Sequence, residues 1–214
     1  MENPFYKLDS LFDLAENYEN IHDIKIINTY PEIKLLSKHY RKALQPYVKP
    51  SNIEKMLNYF SQNNVEAYNR DINFPGGNFY NVVWRIDQVL EVIQRYNLKP
   101  IPYEMSKAFK YVDKGTLNYF NAFRAIKNDK PIIVVNYSPC NLDMVIDGNH
   151  RVFFNRLKGA KSINAYVLEP KHHLEAMAHD LYRTLYKVHY NLITMLSYIE
   201  GKTGKETLNT LYKI

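Results

Sequence analysis

Only one cysteine, Cys140, stands among the 214 residues, which excludes an internal disulfide and any zinc site built from several cysteines. A reducing compartment fits that usage. Basic residues never gather into a block of about five, so no nucleic-acid-binding tail is written into the chain. Long apolar runs are missing as well: the most apolar long segment, residues 174 to 199, is interrupted by His179, Asp180, Arg183 and Lys187. It therefore falls short of the ~18 uncharged residues that a membrane span needs. The start, Met1-Glu2-Asn3-Pro4, has neither the basic residues nor the apolar stretch of a secretory signal. There is no internal repeat and no low-complexity tract. Together these absences predict a cytoplasmic protein with no membrane partner.

What is present points to an ordinary globular chain. Hydrophobic residues make up 46% and charged residues 23%, enough apolar surface to fold and no excess of charge to prevent it. The length suits one sizeable domain with a helical extension. Twenty-eight Lys and Arg against 22 Asp and Glu give a net charge of +6, which favours anionic partners without naming one. Tyrosine is abundant at 19 residues; such rings either stack on bases or fill a core edge with their hydroxyls in water.

The first 65 residues read as helices. Leu11, Leu14, Ala15, Tyr18 and Ile21 share a helical face from about Ser10. Thr29-Tyr30-Pro31-Glu32 reads as a capping box for a second helix that stops before Pro46, and Ser51-Asn52-Ile53-Glu54 repeats the device. Residues 70 to 78 lose periodicity and gather turn formers, so a linker is expected there. Phe79 to Trp84 is β-prone, and Ile86, Val89, Leu90, Ile93 and Tyr96 return to helical spacing. From Leu98 short strands and helices alternate. Leu98 to Glu104 suits an edge strand, because Pro100 and Pro102 remove ladder amides. Thr116 can cap a helix carrying Leu117, Phe120, Phe123 and Ile126. Pro131 to Val135 is an apolar run expected to be covered on both faces, and Met144-Val145-Ile146 is the next strand. Val152 to Lys158 forms a helix closed by Gly159, Ile163, Ala165 and Val167 alternate as a strand, and a long amphipathic helix is expected from about His172 to Tyr198. The fold class is α+β, with a helical region over residues 1–75, a mixed α+β domain over 79–170, and a C-terminal helix and tail over 171–214.

Asp147-Gly148-Asn149-His150-Arg151 falls where a strand gives way to a helix, so unpaired amides and the positive helix end face the same way. Anions bind such places. Gly148 lets the backbone approach a ligand, Asn149 can cap the helix, and His150 and Arg151 add donors suited to phosphate oxygens. Asp147 would repel a bare phosphate; its presence implies a bound metal ion, an acid/base role, or a hydrogen bond that orients His150 or Arg151. Taken by itself, the five-residue match is equally compatible with an ordinary β-turn.

The stretch from Thr116 to Leu168, with its "KPIIVV" strand, "MVIDGNHRV" turn, Gly159 and "INAYVL" strand, resembles the ParB/sulfiredoxin-like superfamily over about a quarter of the chain. That resemblance implies a small mixed sheet with helices and a nucleotide held at the Gly-x-His-Arg turn. Sulfiredoxins place a cysteine where this chain has Asn149, which removes their activity from consideration. Partitioning ParB proteins bind CTP through a Gly-Glu-Arg-Arg turn followed by a helix-turn-helix; here Asn149 and His150 replace two of those residues and no such motif comes after them. Free serine kinases carry Asp-Gly-His-His-Arg, which departs from this chain only at Asn149. The implied function is a nucleotide-dependent phosphotransferase or nucleotide hydrolase. Gly148, Asn149, His150 and Arg151 would hold ATP or ADP, or CTP, with Mg²⁺, while Asp147, His150 and Glu104 are the candidate catalytic residues. Glu104 enters only because kinases of this superfamily draw a glutamate from that strand. The acceptor is a small molecule of unknown identity.

Two other functions compete. One is a ParB-like DNA-binding or nuclease module of a plasmid, phage or other mobile element; the other is a degenerate domain retained for protein contacts. Several further signals are set aside. His172, Glu175 and His179 would share a face of the last helix but are read as solvated, so no metal site is expected. Gly201-Lys202-Thr203-Gly204-Lys205 lacks the upstream glycine and the succeeding Ser or Thr of a phosphate loop. Lys158 occupies the place of a calcium loop's closing Glu. Cys140 has no nearby His or Lys in sequence to activate it.

Overall fold

The structure, a computed structural model, describes residues 6–20, 25–47, 51–112 and 129–214. It is α+β. In chain order it runs β1 (Tyr6–Lys7), α1 (Asp9–Asn17), α2 (Glu32–Leu44), α3 (Ser51–Gln62), β2 (Ala67–Phe74), β3 (Asn78–Arg85) and α4 (Ile86–Arg95). It continues with β4 (Ile101–Glu104), α5 (Met105–Lys110), β5 (Ile132–Tyr137), β6 (Leu142–Asp147), α6 (Asn149–Leu157), β7 (Ser162–Leu168), α7 (Pro170–His173) and α8 (Asp180–Ile199). The helix expected after Thr116 lies outside the described residues.

The chain divides into two compact units. The first takes in residues 1–65, 69–83 and 178–214, so the C-terminal helix is grouped with the N-terminal ones. Its sheet has the order β1-β3-β2. α1, α2 and α8 pack on one another through apolar faces that include Leu11, Ile33, Leu185 and Leu192, all at most 3% exposed. Within α8, His189 stacks on Phe74 at 4.3 Å and its Nδ1 lies 2.8 Å from the Tyr80 hydroxyl.

The second unit, residues 66–68 and 84–177, is built on a four-stranded sheet of order β4-β7-β5-β6. β5 runs parallel to β7, and the other pairs are antiparallel. β5 is central, which is why Ile132, Ile133, Val134 and Val135 are all buried. Successive side chains point to opposite faces. Ile132 and Val134 join Met105, Ala108, Val112, Val145, Val152 and Ala165 in a core beneath α5 and α6. Tyr137 packs against Trp84 and stacks on His173, whose Nε2 lies 3.0 Å from the Asn136 carbonyl oxygen. β4, with Pro102 in it, forms an edge.

Three expectations are corrected. Residues 70–78 are not a linker but the middle of a hairpin made of β2, a turn with Gly76 and Gly77 at φ 80° and 69°, and β3. Tyr68 and Ile72 are buried while Asn69, Asp71 and Asn73 face water, a period-two pattern hidden because most of its residues are polar. Asn78 ties the turn, donating to the Pro75 carbonyl and accepting from the Leu11 amide. Second, Thr29 caps nothing; Pro31 occupies the cap position in helical geometry, and the Ile33 and Lys34 amides donate to the Tyr30 and Pro31 carbonyls. Third, the long C-terminal helix is broken. Residues 176–178 leave helical geometry to run along β3, with the Arg85 amide donating to the Ala176 carbonyl and the Ala178 amide to the Val83 carbonyl. Among the described residues no helix is long and apolar enough to cross a membrane.

Candidate functional site

The turn from Asp147 to Arg151 lies within the second unit, between β6 and α6. The β5–β6 ladder shifts register between Ile133, opposite Asp147, and Val134, opposite Val145. Ile146 is thus the extra residue of a bulge, a feature that bends a strand and re-aims the residues after it. Gly148 comes next at φ 95° and ψ 19° and serves as the cap residue of α6. A side chain there would be strained and crowded, since a Cβ would lie 2.6 Å from Ile132 Cγ2 and 2.8 Å from Arg151 Nη2.

The side chains around this glycine arrange themselves differently from the sequence expectation. Asn149 does not cap the helix. It is 8% exposed and its Nδ2 donates back to the Val145 carbonyl at 3.2 Å, because a glycine in left-handed geometry already holds the cap position. Gly148, as the cap residue, has no side chain to bond the first turn. The first intrahelical bond runs from the Val152 amide to the Gly148 carbonyl at 3.0 Å, so the amides of Asn149, His150 and Arg151 precede the helical ladder at its positive end.

Arg151 folds back over the glycine. Its Nη2 donates to Asp147 Oδ2 at 2.8 Å and to the Pro131 carbonyl at 3.4 Å. The residue is 8% exposed, and neither Nε, which is fully buried, nor Nη1 has an acceptor among the described residues. The carboxylate of Asp147 is therefore an orienting partner of the guanidinium, one of three roles the sequence left open for it. Its Oδ1 has no partner among the described residues.

Two clefts flank the turn. Arg151 lines a groove of about 320 Å³ with Asp129, Lys130, Asn155, Ser162 and Asn164. His150 lines a different cleft, of about 200 Å³, with Asp147, Gly148, Asn149, Glu66 and Tyr68. Consecutive residues on a helix point about 100° apart, which is how one turn serves both. Lys130, Asn155, Ser162 and Asn164 were not foreseen; nothing in the sequence connects them until β7 lies beside β5 and α6 extends from the turn.

Glu104 stands apart from the other candidates. It is exposed at the end of β4, opposite Ser162 in the ladder, bonds the Ser106 hydroxyl, and lines neither cleft. His172, Glu175 and His179 do not share a helical face. His172 packs against Tyr96, Glu175 pairs with Arg95 and Tyr96, and His179 caps α8 by accepting from the Leu181 amide. Among the described residues no cluster of three or more metal-binding side chains occurs. Burial pushes the Cys140 thiol up to about 11, which removes it as a nucleophile near neutral pH. No protein-family model, curated protein or solved structure matches this chain.

Proposed function

We propose that this chain binds a nucleotide at the turn that opens α6 and uses it as a phosphoryl donor. The observation that carries the reading is the Arg151 guanidinium: buried, aligned by Asp147, and left with donors unmet beside a groove that also carries Lys130. An anion in the groove would accept from the Nη1 donors that no described residue takes up. Phosphate oxygens suit the planar fork of an arginine, and a second cation beside it adds to the attraction. The N-terminal end of α6 supplies further positive potential.

The ligand class comes from the resemblance of Asp147-Gly148-Asn149-His150-Arg151 to the free serine kinase turn, which makes ATP or ADP the favoured nucleotides and CTP the other candidate. Mg²⁺ keeps several waters and needs only one or two protein carboxylates beside the phosphates. Asp147, whose Oδ1 is not used by Arg151, is the carboxylate at the turn that would hold the ion, and the ion would supply charge neutralisation of the phosphates. Asp147 is engaged with Arg151, so His150 is the group suited to receive the proton of an acceptor hydroxyl.

A thermal-shift series with ATP, ADP and CTP, each with and without Mg²⁺, tests this reading. A ligand bound only by the native state at a hundredfold excess over its Kd should raise the melting temperature by about 5–10 °C. No shift with any nucleotide at millimolar concentration contradicts it.

A further inference from the structure

α5 and α6 pack side by side, and the solvent side of the pair gathers cations that are scattered in the sequence. Lys107 and Lys110 stand on α5, Arg156 and Lys158 at the end of α6, and Lys161 in the loop before β7; all five are exposed. Their contiguity is fixed by two contacts. The Arg156 guanidinium lies 4.6 Å from the Phe109 ring centroid, and the Met105 amide donates to the Lys161 carbonyl at 3.0 Å.

None of the five forms an ion pair with a described residue. Elsewhere in the same unit Arg85 pairs with Asp87, Arg95 with Glu175, Arg151 with Asp147 and Lys171 with Glu169. The described carboxylates nearest in sequence are Glu104, which bonds Ser106, and Asp129. A cation in the last turn favours a helix by opposing its dipole, which accounts for one charge at each helix end. It does not account for five that no described carboxylate pairs, whose charges a polyanion would neutralise.

The rings on this ridge narrow the partner. Phe109 carries Arg156 and packs on the core, Phe154 carries Lys158 at 4.3 Å, and Tyr111 carries Lys110 at 5.1 Å. Phe109, with Arg156 on one side and the core on the other, offers no open face to a base, and a lysine lies over each of the other two rings. Single strands are gripped by stacking bases on open aromatic faces, whereas a duplex presents its phosphate backbone.

We propose that the α5–α6 ridge docks a duplex nucleic acid through its phosphates, without reading sequence. This does not rest on the nucleotide reading, because none of the five cations lines the Arg151 groove.

The test is fluorescence anisotropy with a labelled mixed-sequence duplex, its single strand alone, and vesicles of acidic lipid, over a range of salt. The duplex should bind, with log K falling against log salt at a slope of about −3 to −5, given ~0.9 per neutralised phosphate. A chain carrying Lys107→Gln, Lys110→Gln and Lys161→Gln should bind it at least tenfold more weakly with a slope shallower by about 3. Its melting temperature and nucleotide-induced shift should match the parent, which shows that the fold and the Arg151 site are intact. No duplex binding at low salt, preference for the single strand or for vesicles, or unchanged affinity in the triple variant would each overturn the proposal.

Discussion

Arg151 Nη2 and Asp147 Oδ2 meet at 2.8 Å across Gly148, so the acidic residue of the turn orients its basic one. The spacing is i to i+4, but Asp147 ends a strand and Arg151 sits in the first turn of a helix. What brings them together is the left-handed glycine between. The pair presents Arg151 to one cleft while His150 faces another, so the two neighbouring side chains have separate surroundings.

Replacing that glycine should be costly. Gly148→Ala forces a side chain into left-handed geometry and against Ile132 and the Arg151 guanidinium. We expect a loss of about 1–3 kcal/mol in urea unfolding, with weaker nucleotide binding because Arg151 is displaced. Unchanged stability would show that the turn relaxes freely.

Asp147→Asn keeps the shape of the orienting partner and removes its charge. The pair is only partly shielded, with side-chain exposures of 9% for Arg151 and 29% for Asp147, so the fold should survive. Nucleotide affinity without Mg²⁺ should hold or rise as repulsion from the carboxylate is lost, while the gain in affinity on adding Mg²⁺ should shrink. Titration calorimetry in both conditions reads the two effects; an undiminished Mg²⁺ effect would remove Asp147 from the metal's surroundings.

Glu104→Gln should leave nucleotide affinity within about twofold of the parent, since Glu104 is exposed and lines neither cleft. His150→Ala should leave affinity largely intact while lowering phosphoryl transfer by on the order of 10²-fold or more. The reverse pattern, with Glu104 controlling turnover and His150 dispensable, would move the chemistry to the edge strand.

Stability should fall in mild acid. Burial lowers both His173 and His189 to about 4, against about 6.5 for the unfolded chain. Both are therefore neutral in the folded protein across that interval, while the unfolded chain takes up protons. Their stabilising effect is complete above pH ~6.5 and is lost progressively as pH falls toward ~4. Urea midpoints at pH 7, 5.5 and 4.5 should decrease in that order, and NMR should show neither ring titrating above pH ~5. A ring titrating near pH 6.5 would contradict its buried, neutral state.

How far sequence alone reaches can be seen in particular residues. The turn was legible because an apolar strand, a glycine and an amphipathic helix each leave a local pattern, and β4 was legible as an edge because two prolines forbid a central place. Asn149 was misjudged, since residue type cannot say whether an amide caps forward or bonds back to Val145. Phe79 to Trp84 was legible as a strand, but its partner β2 was not, because Asn69, Asp71 and Asn73 mask the alternation. The break before α8 depends on residues 176–178 bonding to β3, a pairing between segments about ninety residues apart in sequence. The basic ridge is invisible for the same reason: Lys107 and Lys161 become neighbours only through the packing of α5 and α6.

The most direct measurement is calorimetric titration of Mg²⁺-ATP, Mg²⁺-ADP and Mg²⁺-CTP into the parent chain, Arg151→Ala and Arg151→Lys, with each variant's folding checked by circular dichroism. Saturable binding of at least one nucleotide to the parent, lost or weakened at least tenfold in Arg151→Ala and only partly restored in Arg151→Lys, is the predicted outcome. Binding of equal strength in a folded Arg151→Ala chain would contradict the assignment of the buried guanidinium as the phosphate grip.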